Sequence, residues 1–448
     1  MKKHLTALLA CSLLASSLFS CVKSPSSPDT DFPQTTENSV VLPSAKITGA
    51  PGAGDTPSPS LLSSHSLTAD VSKQEAELAD LDTVFIGEAA NFAVRLFQET
   101  RESGKNALIS PLSVLTALAM LENGTAGNTR TQMESVLCNL PAETLNRYLA
   151  AYIRALPSGE HAKLALANSV WLRDDESLLT VRDEFLGICK NIYNAEVYAA
   201  AFDETTVKDI NSWVDTHTDG MIREIIREIG DDNMLYLINT VLFDAEWQEK
   251  FTEDSVRDDV FTAADGTTQT VSMMNGTTYG YLSSEDAVGF TKAYANGYHF
   301  AALLPTGDFE HFVSSLTGEK LLSALSGVSH EEVILSMPKF AYDCSYQLVP
   351  VLEKLGITDV FSQKQSNLSA LGSCPNGDNL YVDQVIHKTR IEVGEAGTKA
   401  AAVTAISVVK ATGMERQPKR VVLDRPFVYA IVDDATGLPV FIGCYTGN

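Results

Sequence analysis

From Asp80 onward the chain is patterned without a break, and the order of those patterns constrains the fold more than any other feature. Helical spacing comes first and strands dominate later, a distribution that predicts an α+β fold rather than a regular βαβ alternation. Leu81–Arg101 places Phe85, Ala89, Phe92, Ala93, Leu96 and Phe97 at helical intervals. Ser110-Pro111 opens a second helix, Leu112–Glu122, which Asn123-Gly124 closes. Thr129–Leu137, Leu145–Ala155, Asp183–Tyr193 and Val207–Thr216 also read as helices. Strands are expected at Leu164–Leu172, Leu235–Phe243, Thr268–Met274, Thr278–Ser283, Phe300–Pro305 and Val333–Phe340. Tyr346–Leu355 returns to helix, and Phe427–Asp433 with Pro439–Tyr445 forms a terminal hairpin. No internal repeat is visible, so residues 80–448 are expected to be one globular unit.

The chain ahead of that unit has a different character. Of the 39 residues from Val22 to Ser60, 22 are Ser, Pro, Thr or Gly. Such a stretch buries too little apolar surface to offset its ordering entropy, so residues 21–79 are expected to be a disordered tether. Residues 1–20 read as a signal peptide: Lys2 and Lys3 are followed by a largely apolar run, Leu5 to Leu18, too short for a stable membrane anchor. The run ends in Leu18-Phe19-Ser20-Cys21, which resembles a bacterial lipoprotein signal. That resemblance implies cleavage before Cys21, lipidation of Cys21, and an exported domain held at the bacterial envelope or cell surface. Leu8-Leu9-Ala10-Cys11 also matches but leaves too short an apolar core ahead of it, and the other reading is an ordinary secretory signal.

Charge and motifs exclude several functions. With 33 basic and 57 acidic residues the net charge is −24, which argues against nucleic acid or an anionic membrane surface as partner. Cys138, Cys189, Cys344, Cys374 and Cys444 are dispersed, odd in number and show no CxxC spacing, so they read as small buried hydrophobes rather than metal ligands. There is no GxSxG elbow, HExxH, GxGxxG after a strand or GxxxxGK[ST] loop. His161, His217, His299, His311, His330 and His387 form no pair at ligand spacing. Neither catalysis nor a cofactor or metal is expected.

The most informative stretch runs Glu392-Val393-Gly394-Glu395-Ala396-Gly397-Thr398-Lys399-Ala400-Ala401-Ala402-Val403-Thr404. One reading is an Ala-rich helix behind a turn. Against it, Gly394 and Gly397 interrupt the approach, and Ala405-Ile406-Ser407-Val408-Val409 continues as a β-prone run. The pattern is a strand, a glycine hinge, and then small residues suited to a tightly packed sheet. Here the chain resembles the serpin family, whose hinge pattern Glu-x-Gly-Thr-x-Ala-Ala-x-x-Thr is matched by Glu395, Gly397, Thr398, Ala400, Ala401 and Thr404. Asn106–Ser113, Leu237–Phe243 with Trp247, Met337–Phe340, Leu355–Phe361 and Asp424–Phe427 resemble further family segments in the same order.

The resemblance implies a serpin fold, with a large and mostly antiparallel central sheet, early helices and an exposed reactive-centre loop. It implies a monomeric suicide inhibitor of serine endopeptidases, or by the same chemistry cysteine ones. The protease attacks a bait bond, and the cut loop inserts as a new central strand before the acyl-enzyme is hydrolysed. Thr398, Ala400, Ala402 and Thr404 would share the inward face of that strand, and small side chains pass between packed strands most readily. By the same analogy Glu395 pairs with Lys339 near the opening point beside Trp247, while Ser110, Ser113, Asn239 and His387 hold the strands together. Counting from Glu395 places the bait bond at Ala411–Thr412, for an elastase- or subtilisin-like target; Lys410 is the alternative, for a trypsin-like one. Counting back from Pro426 favours Glu415-Arg416 instead. The competing functions are a non-inhibitory serpin and a surface binding lipoprotein.

Overall fold

A computed structural model of the chain describes residues 63–159, 161–174, 179–230, 233–374, 379–399 and 417–448. Helices lead: β1 (His65–Ser66), α1 (Thr83–Thr100), β2 (Ala107–Ile109), α2 (Pro111–Glu122), α3 (Gly127–Leu137) and α4 (Ala142–Ala155). Strands then interleave: β3 (Ala162–Arg173), β4 (Thr180–Val181), α5 (Asp183–Asn191), β5 (Glu196–Ala200), α6 (Glu204–His217) and β6 (Leu235–Glu246). Next come β7 (Val256–Thr262), β8 (Thr268–Thr278), β9 (Tyr281–Ser283), β10 (Ala287–Ala293), β11 (Tyr298–Pro305), α7 (Phe309–Ser315) and α8 (Gly318–Ser326). The last stretch holds β12 (Val333–Pro338), β13 (Phe340–Gln347), α9 (Val349–Leu355), β14 (Gly372–Ser373), β15 (Gln384–Val393), β16 (Gly397–Thr398), β17 (Lys419–Val422), β18 (Phe427–Asp433) and β19 (Pro439–Tyr445).

Local chemistry accounts for the leading helices. Asp82 caps α1 by accepting from the Val84 and Phe85 N–H groups, and the six apolar residues read at helical spacing are all buried. Ser110 caps α2, with Pro111 at its first position. Every residue of α2 is buried, so it is a core helix with no polar face.

A seven-stranded sheet in the order β1-β5-β3-β6-β16-β15-β13 organises the molecule. Most of its pairings are antiparallel; β3–β5 and β6–β15 are parallel. A six-stranded sheet, β2-β19-β18-β11-β10-β9, and a four-stranded sheet, β17-β12-β8-β7, complete the body. The main core joins α1, α2 and the six-stranded sheet to the inner face of the large sheet. On the large sheet's other face Trp171, Tyr198, Tyr236, Ile238 and Ile386 pack with Ile210, Trp213 and Val214 of α6. Leu235–Phe243 is therefore buried on both sides, which is why it is apolar apart from Asn239 and Thr240.

Several boundaries differ from the sequence reading. The packed chain starts before Asp80: β1 pairs with β5, the Leu67 N–H donates to Val197 O (2.7 Å), and Thr68 is buried. Residues 63–79 were expected to be tether. What docks them is polar, since the Ser63 Oγ, Ser64 Oγ and Ser64 N–H donate to the Asp209 carboxylate of α6 at 2.6–2.8 Å, and β1 uses the free edge of β5. Apolar periodicity does not register such an attachment. The expected strand Val333–Phe340 is two strands in different sheets, parted at Lys339: β12 pairs with β8 through Pro338, and β13 pairs with β15 from Phe340. β13 then runs on to Gln347, with Tyr342 and Tyr346 half-buried on one face, so the helix expected from Tyr346 starts at Val349.

Candidate functional site

β15 leads through Gly394–Ala396 into β16, a two-residue strand wedged between β6 and β15. Gly397 lies opposite Glu246, and Thr398 lies opposite both Ala245 and Val393. A Cβ on Gly397 would sit 2.0 Å from the Ala245 carbonyl oxygen, so only glycine fits at the mouth of the wedge. Deeper in the sheet β6 and β15 pair directly, from Gln384 opposite Tyr236 to Lys388 opposite Thr240. Between these two zones, Val241–Asp244 and Thr389–Glu392 have no strand partner on their facing edges among the described residues. Lys399 has φ +58°, in the left-handed region, and its N–H donates to Glu392 O; the extended backbone of β16 ends at Thr398.

The turn that follows β6 holds the hinge. The Trp247 N–H donates to Ala396 O (2.9 Å), the Trp247 Nε1–H to Gly394 O (2.8 Å) and the Phe251 N–H to Glu395 O (3.0 Å). Lys339 Nζ lies 2.7 Å from Glu395 Oε1. Partial burial would raise the Glu395 pKa, but the Lys339 bond and charge and a local backbone bond leave it below the usual carboxylate value. Thr398 is buried, its hydroxyl 2.6 Å from the Tyr294 hydroxyl, and the Tyr294 ring stacks on Trp247 at 4.3 Å.

A second cluster bolts β6 to β15 where they pair. His387 and Asn239 are register partners, and both are buried. The Ser110 N–H donates to His387 Nε2 (3.2 Å), which assigns the proton to Nδ1, and Nδ1–H then donates to Asn239 Oδ1 (2.7 Å). Ser113 Oγ also donates to Asn239 Oδ1 (2.8 Å), while Asn239 Nδ2 donates to Ser113 O (2.9 Å) and Asn168 Oδ1 (2.7 Å). Ser110 Oγ donates to Val440 O (2.7 Å). Every side chain in the cluster is paired, so separating the strands here breaks several buried hydrogen bonds at once.

Residues 88–447 match the family model described as Serpin (serine protease inhibitor). The chain belongs to the serpin family. An uncharacterized serpin-like protein of Thermococcus kodakarensis is 31% identical over 364 residues, which are 79% of this chain and 83% of the relative. The leukocyte elastase inhibitor of Equus caballus is 31% identical, over 80% of this chain and 97% of its own. The thermophilic serpin tengpin in its native state superimposes with a TM-score of 0.82 at 39% identity, covering 86% of this chain and all of the other. Serpins are generally protease inhibitors rather than enzymes, and the fold is the serpin fold.

Within this serpin the structure brings Glu395, Gly397, Thr398, Trp247 and Lys339 together at the wedge, and Ser110, Ser113, Asn239 and His387 at the bolt. Ala400, Ala401, Ala402, Thr404, Lys410, Ala411, Thr412 and Cys21 lie outside the described residues. Sequence reasoning missed Asn168, Phe251 and Tyr294. Each comes from a strand or turn remote from the hinge, and no local motif marks it. Among the described residues no group of His, Cys, Asp or Glu is placed to hold a metal ion.

Burial holds His387 neutral, with its pKa lowered to about 3. A base whose pKa falls on folding stabilises the native state above its unfolded value near 6.5, and that contribution is lost as pH drops toward 3. By pH 4.5 the loss is about 2–3 kcal/mol. Thermal unfolding at pH 7 and 4.5 should therefore show a smaller acid loss in His387→Gln than in the parent. Parallel losses would mean that another group titrates.

Proposed function

We propose that this serpin traps serine endopeptidases covalently, as a suicide inhibitor whose cut loop inserts between β6 and β15. The observation that carries the reading is the wedge: β16 already occupies the first two positions of the missing strand, and the facing edges below it are open among the described residues. Small residues follow in the sequence on the same alternation, Ala400, Ala402 and Thr404. An uninserted sheet of this kind is metastable, because its own chain can supply the strand it lacks, and a kinetic barrier preserves it.

The bait bond we assign is Ala411–Thr412, which suits an elastase- or subtilisin-like protease; a trypsin-like enzyme would use Lys410. Thr398 to Ala411 is 14 residues, about 46 Å of strand at roughly 3.3 Å each, so a protease carried on Ala411 reaches the far end of the sheet on a taut tether. Lipidation at Cys21 would fasten the monomeric inhibitor to the bacterial envelope, with the domain outside the cytoplasm.

The test is incubation with an elastase-like, a subtilisin-like and a trypsin-like protease, followed by denaturing electrophoresis and mass measurement. An inhibitor yields a complex that survives SDS; a non-inhibitory serpin or a binding lipoprotein is only cleaved. The released C-terminal peptide should begin at Thr412, or at Ala411 when Lys410 is used. A peptide beginning beyond Glu415 would overturn the assignment counted from the hinge.

A further inference from the structure

Lys292 is the residue that the reading above leaves without a role. It sits on β10 with its side chain turned inward, 5% exposed. Its ammonium lies over the Phe251 ring (4.5 Å to the centroid) and the Trp247 ring (5.6 Å), and donates one hydrogen bond, to Glu249 O at 2.7 Å. Among the described residues no carboxylate stands within ion-pair distance. A buried ammonium has three donors, and ring faces offset only part of its lost hydration. A methionine of similar length would fill this site without that cost.

The location gives the charge a consequence. Trp247, Glu249 and Phe251 belong to the turn whose N–H groups hold Gly394, Glu395 and Ala396. The start of the turn is fastened to the end of β10, through the Gln248 N–H to Ala293 O and the Ala295 N–H to Glu246 O. Its far end is fastened to the hinge, through the Phe251 N–H to Glu395 O. Lys292 is anchored in the six-stranded sheet, whereas the turn continues directly from β6 of the seven-stranded one. Widening the gap between β6 and β15 therefore draws the Phe251 end of the turn, and the roof over the ammonium, away from β10.

We propose that Lys292 is a positioning residue that sets how readily the hinge opens: its buried ammonium loads the closed hinge with an unpaired charge, and opening admits water to it. The proposal rests on the loop-insertion reading. Burial lowers the Lys292 pKa from 10.5 to about 8, against the pull of Glu249, which raises it. Opening restores hydration and moves the pKa back up. Below about pH 8 the ammonium is charged in both states and the load is fully present; from there toward 10.5 opening must take up a proton, so it slows as pH rises. The other charged or titratable groups on the elements packed around Lys292 are Glu246 and Lys250 of the turn, Tyr294 beyond β10, Tyr281 on β9, Tyr298 and His299 on β11, Lys419 and Arg420 on β17, and Glu395 of the hinge. A variant at Lys292 leaves all of these in place.

The experiment measures spontaneous conversion of the intact full-length chain to its inserted form, by unfolding temperature after timed incubation at pH 7.5 to 9.5. On a full return of the pKa to 10.5 the parent should convert about twentyfold more slowly at pH 9.5 than at 7.5, and Lys292→Met about 200-fold more slowly than the parent at pH 7.5, with no slope. Native-state thermal stability should likewise rise with pH over this range more in the parent than in Lys292→Met. Equal slopes in the two proteins, or faster conversion of Lys292→Met, would overturn the proposal. Should Lys292→Met not fold, a parent profile flat from pH 7.5 to 9.5 overturns it alone. A parent that never converts overturns it as well, and if no protease complex forms either, the loop-insertion reading falls with it.

Discussion

Thr398→Arg is expected to turn the inhibitor into a substrate. In the native wedge Thr398 is buried against Tyr294, with its hydroxyl 2.6 Å from the tyrosine oxygen. A guanidinium does not fit that buried site, so in the variant it would lie outside the wedge and must shed its water when the strand enters the sheet. An added barrier of roughly 3 kcal/mol slows insertion about 100-fold, which gives the protease time to hydrolyse the acyl-enzyme and leave. Denaturing gels should show cleaved inhibitor and free, active protease in place of the complex. Thr398→Val keeps the shape without the hydroxyl and should still form complex. A complex yield unchanged in Thr398→Arg would sink the insertion mechanism for this chain.

Cleavage within the loop is the second large effect, and it should raise thermal stability. An ordinary exposed loop, once cut, leaves a fold equally stable or weaker. Here the freed segment would complete the ladder between Val241–Asp244 and Thr389–Glu392 and then replace the direct β6–β15 pairing below. A strand bonded along both edges and packed on both faces, worth on the order of 10 kcal/mol, corresponds to a rise of roughly 13 °C for a unit of this size. The rise requires the bolt to open, since His387 and Asn239 must part before the strand passes them. Calorimetry of intact and loop-cleaved protein decides the matter. A cleaved form melting no higher than the intact one would reject the metastable sheet.

The two predictions draw on different parts of the molecule, and the sequence exposes those parts unequally. Gly397, Thr398 and the alanines after them are legible as a hinge because their chemistry is local. Glycine permits a backbone approach that no other residue tolerates, and small side chains mark a strand that must enter a packed sheet. Lys339 and Trp247 were read as its partners through the family resemblance, but the other contacts are not legible. Phe251 acts through its backbone N–H, which any residue but proline would supply, and Tyr294 and Asn168 reach the site only because distant strands fold beside it. The docking of Ser63 and Ser64 on Asp209 was hidden for a related reason, since hydroxyl-to-carboxylate bonds leave no periodic trace.

By itself the sequence determined the leading helices, most of the runs that became strands, and where the hinge motif begins. These follow from spacing, capping and side-chain size, all of which act within a few residues. Only the tertiary structure decided which strands face one another. Alternation with a period of two says which side of a strand is buried but not which strand lies alongside, so nothing local predicts that β6 and β15 pair at Asn239 and His387 and part above them. The same holds for Lys292: a lysine in a strand reads as a solvated charge, and it became a buried one because a turn from another sheet closed over it.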